Sequence, residues 1–437
     1  MKSAELITRH LAVEIFSAVL RKGKSLEEEF AARMEAQDKK QPLENRDRTF
    51  VRLLVTTMLR RLGQIDNILA GYLKRPLPER ANYIKDVLRV STAQLVFLDT
   101  PPHAAVSTGV SLVKSWGIGG FAGLANAVLR QVATNGKQIA EHQNEAELNM
   151  PPWLLRSWEK AYGKETAGRI AAAGLQEAPL DFSVKDNAVY WAEQLEASVM
   201  PTGTLRRMKS ALVPSLPGFE EGQWWVQDLS AALPARLLRD IEDRRVIDIC
   251  AAPGGKTAQL ATAGADVTVL DISANRLKKL QENMNRLGLS VEVVTGDARR
   301  WWEEEGHDGD RFDAVLLDAP CSATGTLRRH PDVVWHRTPE DVRRLNKTQR
   351  ELLATALDML EPDGEMVYCV CSLLPEEGVG IVDDAIHRGR AERIPVTAQE
   401  MPPEMISAQG DLCIFPFLFE ESGGCDGFYA ARLRRKG

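Results

Sequence analysis

Apolar residues recur at helical spacing through the first third of the chain. Leu6, Leu11, Ile15 and Val19 form one such series and Leu53, Leu54, Met58, Leu62 and Ile65 another, with breaks at Lys22-Gly23-Lys24 and Leu73-Lys74-Arg75-Pro76. This predicts a bundle of about six helices from Ala4 to about Val132. The polar stretch 133–149 reads as a linker, and Met150-Pro151-Pro152-Trp153 opens a second unit. That unit has helical text from Trp153 to Gly174 and short β-rich pieces near Asp181 to Val184, Ser210 to Val213 and Trp224 to Gln227. From Val246 the pattern changes again. Val246 to Cys250, Val267 to Asp271, Val291 to Gly296 and Phe312 to Leu317 are short apolar runs with helical text between them, as in a buried parallel sheet. A long helix, Pro339 to Leu360, should stop at Glu361-Pro362-Asp363-Gly364, with a fifth strand at Glu365 to Ser372 and a helix from Pro375 to His387. The alternation from Gly427 to Leu433 predicts a last strand, antiparallel beside the fifth.

The first of these strands runs into Ala251-Ala252-Pro253-Gly254-Gly255-Lys256, a tight glycine turn before a helix. A phosphate loop would need glycine at position 250, which is Cys250, and a dinucleotide fingerprint would need separated glycines, whereas these are adjacent. The next three runs end in Asp271, Asp297 and Asp318. In an open α/β sheet the ligand lies at the carboxyl ends of the strands, where an acid closing the second strand can hydrogen-bond a ribose. Three acids beside a glycine turn suit a ligand that is cationic at sulfur and carries an adenosine, namely S-adenosylmethionine, better than a polyphosphate. Asp271 suits the ribose hydroxyls and Asp297 the adenine amine. Lys256 could anchor a cofactor carboxylate or Asp318.

Composition bounds the rest. At 437 residues two or three domains are expected, and 44% hydrophobic with 27% charged residues is ordinary for a globular protein. There is no run of eighteen apolar residues and no signal-peptide pattern in MKSAELITRH, so a cytoplasmic protein without a membrane partner is expected. The six cysteines lack paired metal or disulfide spacing, so free thiols and no metal are expected. A net charge of −6 argues mildly against nucleic acid, but two segments are locally basic: Arg46 to Arg61, and Arg328 to Arg350 with seven basic residues against three acids. The second adjoins the glycine-acid site and is the better phosphate contact. Adjacent Trp224 and Trp225 could stack bases, although one of such a pair usually lies in the core.

The string Leu317 to Trp335 (LDAPCSATGTLRRHPDVVW), with DICAAPGGKT before it and VYCVCSLLPEEG after it, closely resembles the RNA cytosine-5 methyltransferase family, the NOL1/NOP2/Sun or Fmu group. QLVFLDTPPHAAVSTGVSLVKSW, followed by GLANAVLRQV, resembles the all-α RNA-binding domain of the antitermination factor NusB. The resemblance implies three parts: residues 1–140, a NusB-like bundle; residues 141–240, a linker and small α/β cap related to an RNA-recognition fold; and residues 241–437, a class I S-adenosylmethionine-dependent methyltransferase with a seven-stranded sheet. It implies a monomer acting on RNA and not DNA. The NusB-like part tips the substrate to 16S ribosomal RNA over transfer RNA.

Carbon C5 of cytosine is not nucleophilic, so methylation there needs a thiolate added at C6 and a base to remove the C5 proton. DNA enzymes place the nucleophile in a Pro-Cys pair like Pro320-Cys321. The RNA family implies Cys371 as nucleophile, Cys321 as the residue assisting product release, and Asp318 beside cofactor or cytosine N3. Val370 stands where the family usually has threonine before the nucleophile. A nucleotide triphosphatase would instead bind ATP and magnesium, and a non-enzymatic antitermination factor would leave the two cysteines unexplained.

Overall fold

Seven α-helices occupy the described part of the first 141 residues: Ala4–Lys22, Leu26–Asp38, Asn45–Arg60, Leu62–Ala70, Asn82–Val96, Pro102–Ser115 and Ala122–Glu141. The structure, a computed structural model, describes residues 4–73, 75, 77, 82–117, 119–209, 211–305 and 311–436. Of the break expected at Leu73 to Pro76, Lys74 and Pro76 lie outside them. The chain divides into two compact units, one of residues 1–175 with 330–336, the other of residues 176–329 with 337–437.

In the first unit the helical stripes converge on a core that includes Ile15, Phe16, Leu54, Met58 and Leu88. The stretch expected as a linker, 133–149, is helical instead. The helix Ala122–Glu141 runs through its first half and Glu145–Asn149 forms a short helix, capped by the Asn144 side chain accepting from Glu147 N. Val132, Gly136 and Asn149 are buried, so its polar residues mark the outer face of helix. The long helix Pro152–Gly174 also belongs to this unit, which therefore extends past the expected boundary near 140. Segment 330–336 is fixed within the unit by polar contacts. Asp332 accepts from Leu26 N at 3.2 Å, Trp335 Nε1 donates to Leu59 O at 3.0 Å, and His336 Nε2 lies 2.9 Å from Val19 O. Among the described residues no helix is long and apolar enough to cross a membrane.

The second unit begins with a four-stranded antiparallel sheet of β1 (Leu180–Val184), β2 (Ser198–Val199), β3 (Leu205–Arg207) and β4 (Trp224–Val226), in the order β2-β3-β1-β4. Of the expected piece Ser210 to Val213, the described residues 211–213 form no strand. Ser210 lies outside the described residues, and Val213–Ser215 is a single 3-10 turn built around Pro214. Trp224 and Trp225 are both buried, their indole nitrogens donating to Pro217 O and Gln227 Oε1 at 2.8 Å each. Neither ring offers a free face for stacking.

The larger sheet comprises β5 (Arg245–Ile249), β6 (Asp266–Asp271), β7 (Glu292–Thr295), β8 (Phe312–Asp318), β9 (Leu360–Val370), β10 (Ala391–Arg393), β11 (Leu412–Ile414) and β12 (Phe428–Arg435). Seven strands follow the order β10-β12-β9-β8-β5-β6-β7, with the short β11 paired on β12 as an eighth. The five from β9 to β7 are parallel and β12 is antiparallel to β9, as its alternation predicted. Helix Pro339–Asp358 starts in a capping box between Thr338 and Asp341. It ends two residues early because Glu361-Pro362-Asp363-Gly364 is not a turn. These residues open β9 at a register shift opposite Phe312 and Ala314, with Asp363 at φ +65°, so a bulge absorbs the turn-like sequence. The chain steps from β5 outward through β6 to β7, then returns to the other side of β5 as β8. The crevice at the carboxyl ends of β5 and β8 is therefore the switch point at which ligands bind.

Candidate active site

The crevice holds a cavity of about 290 Å³ whose lining includes Cys250, Ala252, Asp271, Asp297, Asp318, Cys321 and Cys371. The three acids, the two thiols, Cys250 and Ala252 thus meet in one place, whereas Ala251, Pro253, Gly254, Gly255 and Lys256 do not line the cavity. At its floor the chain leaves β5 through Cys250 at φ +62° and reaches Gly254 at φ +102°, with a cis peptide between Ala252 and Pro253. Gly255 opens the helix Gly255–Thr262. Only Gly254 needs to be glycine on conformational grounds, and a Cβ there would also lie 2.8 Å from Leu280 Cγ. A Cβ on Gly255 would meet Gln227 Cδ at 3.3 Å, a milder contact with a side chain. Ala251 is buried behind the turn.

Each acid has defined partners. Asp271 accepts from Ala252 N at 3.3 Å and Ser273 N at 2.9 Å, tying the second strand end to the glycine turn, and Arg276 Nη1 approaches it at 3.5 Å. Asp297 is gripped by Arg299, whose backbone N and Nε both reach Oδ1, at 3.0 and 2.9 Å, while Nη2 reaches Oδ2. The Arg299 contact holds the Asp297 carboxyl below its ordinary range and leaves one acceptor position on Oδ2 for an adenine amine. Lys256 Nζ donates to Asp318 Oδ2 at 2.8 Å and lies 5.0 Å from the Phe428 ring centroid. Burial pushes the Lys256 ammonium down, but Asp318 more than offsets this and keeps it above its ordinary value. Of the two roles open to Lys256, the pairing with Asp318 is the one observed.

Beneath the turn, Asp248 is fully buried and accepts from Thr257 Oγ1 at 2.6 Å, while its Oδ1 has no partner. Burial raises its pKa to about 7, with smaller contributions from Asp318 and Asp271. An acid raised in the folded state stabilises the fold most below its unfolded pKa, and that advantage is lost as pH rises towards 7. Asp248→Asn removes the titration. The variant's stability relative to the parent should therefore climb between pH 5 and pH 8, by roughly 3 kcal/mol, because only the stretch from pH 5 to about 7 falls in that window. Thermal melts at both pH values check this, and a constant difference contradicts it.

The two candidate thiols stand at the carboxyl ends of neighbouring strands, Cys321 after β8 and Cys371 just past β9, with Sγ atoms 3.5 Å apart. Their shared contact, then burial, raises the Cys321 thiol well above its ordinary pKa. The loop between them depends on Gly325. Its N donates to Cys371 O at 3.0 Å, its O accepts from Gly427 N at 2.8 Å, and a Cβ would lie 2.0 Å from Gly427 O. Gly325→Ala is expected to reduce methyl transfer at least 10-fold, because backbone on both sides would have to move. A rate within twofold of the parent would show that the loop can relax.

The basic segment 328–350 divides into two kinds of residue. Arg328 is buried, with Nη2 donating to Gly423 O, and Arg329 pairs with Asp228 at 2.9 Å and Asp426 at 3.1 Å. Both are internal fastenings, not phosphate contacts. Arg343, Arg344 and Lys347 are exposed on the helix Pro339–Asp358, whose Thr348 and Leu352 line the cavity. In the earlier basic segment Arg46, Arg48, Arg52 and Arg61 pair with Glu44, Asp38, Glu27 and Glu145, a solvated ion-pair face. Sequence reading missed Arg276, which donates to Ala252 O, Arg299, and the 72% exposed Ile272 at the cavity wall. Each follows an acid-ended strand within five residues, and that position was the available signal.

Residues 235–434 match the family described as 16S rRNA methyltransferase RsmB/F, and residues 6–134 match the NusB family. The ribosomal RNA small subunit methyltransferase B of Klebsiella pneumoniae subsp. pneumoniae is 32% identical, covering 98% of each chain. The protein of the same name in Vibrio cholerae is 34% identical over 77% of this chain and 80% of its own. Among solved structures, PH0851 superposes with a TM-score of 0.76 at 20% identity, covering 99% of each chain. NSun6 from Pyrococcus horikoshii gives 0.55 at 22% identity over 65% of this chain and 98% of its own. These two likenesses bear on the fold, which is a NusB-like helical region followed in the chain by a class I methyltransferase domain. With full-length relatives above 30% identity and a glycine-acid crevice that fits the ligand, the chain belongs to the RsmB/F family of methyltransferases, and its methyl donor is S-adenosylmethionine.

Proposed function

We propose that this protein methylates C5 of a cytosine in 16S ribosomal RNA through a covalent adduct at C6. The observation that carries the reading is the pair of thiols 3.5 Å apart at the mouth of the cavity that also holds Asp271, Asp297 and Asp318. S-adenosylmethionine supplies an electrophilic methyl group, and the turn at Gly254, Gly255 and Lys256 with the three acids holds it. The family resemblance gives the nucleophile's role to Cys371, just past the end of β9, and product release to Cys321. The Cys371 thiolate sulfur bonds to C6, and the ring electrons displaced to C5 form the new C–C bond to the methyl group as a neutral thioether departs. The Cys321 thiol then gives up its own proton to solvent, its thiolate removes the C5 proton, and the C6–S bond breaks to return the Cys371 thiolate. Once the Cys371 sulfur is part of the adduct it no longer bonds the Cys321 thiol, and the largest cause of that thiol's raised pKa disappears. Asp318, held by Lys256, faces the base or the donor's amino acid.

The proposed division of labour assigns RNA capture to the NusB-like helices and to Arg343, Arg344 and Lys347, and chemistry to the second unit, within a single chain. Among the described residues the cavity is lined by residues between 250 and 371, so a chain beginning at Gln176 should keep its affinity for S-adenosylmethionine. It should lose most of its affinity for ribosomal RNA. Equal methylation of full-length RNA by the shortened chain would remove the helical part from substrate binding. The substrate itself is tested by bisulfite sequencing of 16S RNA from a deletion strain. One protected cytosine should become convertible and be protected again when the gene is restored; an unchanged pattern would redirect the search to another RNA.

A further inference from the structure

Under the two thiols lies a fully buried carboxylate that the reaction just described does not use. Glu377 sits in the turn before the helix Val379–His387, its backbone O accepting from the buried Tyr368 hydroxyl at 2.6 Å. Its Oε1 accepts from Ser322 N at 2.9 Å and Gln349 Nε2 at 3.2 Å. Its Oε2 accepts from Ser372 Oγ at 2.6 Å and from Ser322 Oγ. Ser322 follows Cys321 and Ser372 follows Cys371. One carboxylate therefore grips the residue next to each thiol, and Gln349 extends the grip to Pro320 O at 2.9 Å. Thr324 Oγ1, 3.1 Å from Ser372 Oγ and accepting from Leu373 N at 3.3 Å, closes the network.

All four donors to Glu377 are neutral, so the charge is buried without a cationic partner on its oxygens. Burial on those terms is expensive and fills space no better than an apolar side chain would. What a carboxylate offers is four acceptor positions with no donor of its own, and here all four are taken. Glutamine keeps a single acceptor oxygen, so in either orientation of its amide two of these four donors lose their acceptor. Bonds to an ionised acceptor are shorter and more directional than neutral ones, as a fixed Sγ to Sγ distance requires.

We propose that Glu377 is a positioning residue that holds the Cys321 and Cys371 segments in register, so that the two thiols act in turn on one base. The proposal rests on the reading of those thiols given above. Its charge also contributes to the raised Cys321 pKa.

The test uses the full chain carrying Glu377→Gln, with Ser372→Ala as a second, smaller lesion. In both, affinity for S-adenosylmethionine and KM for RNA should stay within about threefold of the parent. The kcat should fall, by about 10- to 100-fold in Glu377→Gln, as expected for reacting groups displaced by a fraction of an ångström. Because release requires both thiols, an enzyme-RNA adduct should persist longer on denaturing gels in Glu377→Gln than in the parent. Unchanged turnover and adduct lifetime would overturn the proposal. So would parallel loss of cofactor affinity, melting temperature and turnover in both variants, which would assign Glu377 to the fold alone. Cys321→Ala run alongside separates the two levels: no adduct in that variant overturns the underlying reading, whereas an adduct there with parental turnover in Glu377→Gln overturns only the role of Glu377.

Discussion

Cys371→Ala is expected to abolish methyl transfer and any covalent complex with RNA, while Cys321→Ala accumulates an enzyme-RNA adduct that survives denaturing electrophoresis. The roles are sequential, so the lesions fail differently. Without the Cys371 thiolate, C5 never becomes nucleophilic, and the loss should reach roughly four orders of magnitude or more, as when a covalent nucleophile is removed. Without Cys321, addition and methylation proceed, but the C5 proton stays and the C6–S bond cannot break. Both residues are half-buried and small, so the alanine variants should fold, with losses on the order of 1 kcal/mol. Turnover assays with gels under matched conditions check both halves. An adduct in Cys371→Ala and none in Cys321→Ala would reverse the assignment to the DNA-enzyme arrangement.

Gly254→Val should remove cofactor binding almost completely, a larger effect than any change at Gly255. A β-branched residue at φ +102° carries about 1–3 kcal/mol of backbone strain, and its Cβ would also press on Leu280 at 2.8 Å. Relief requires the turn to move, and with it Ala252 N, which donates to Asp271. Gly255→Val leaves the backbone unstrained and meets only the Gln227 side chain, so its affinity should fall less. Calorimetry with S-adenosylmethionine ranks the two. Equal losses would contradict the strain argument, and no loss at Gly254 would place the donor away from this turn.

The strand ends were the most legible part of the sequence, because buried parallel strands are short apolar runs and an acid closing such a run has few structural uses. Asp271, Asp297, Asp318 and the glycine turn were readable one run at a time, and the structure brings the three acids to one crevice with Cys250 and Ala252 at the start of the turn. Local signals misled where tertiary context overrode them. The polar 133–149 stretch is helix because only a narrow face of it is buried. Glu361 to Gly364 has turn composition but enters a strand through a bulge, and Arg328 and Arg329 look like a phosphate patch but satisfy buried carbonyls and acids. Glu377 was invisible for the opposite reason. Glu376 beside it is exposed, and no local pattern tells a solvated acid from one whose four partners come from three other segments.

The covalent step is tested most directly by trapping it. Substituting 5-fluorocytidine for cytidine in the 16S RNA substrate leaves no C5 proton to remove, so the chain incubated with S-adenosylmethionine should stop at the methylated adduct. Protease digestion and mass spectrometry should then place the cross-linked nucleotide on the peptide containing Cys371. Attachment at Cys321, or turnover with no attachment at all, would contradict a C6 adduct formed by Cys371.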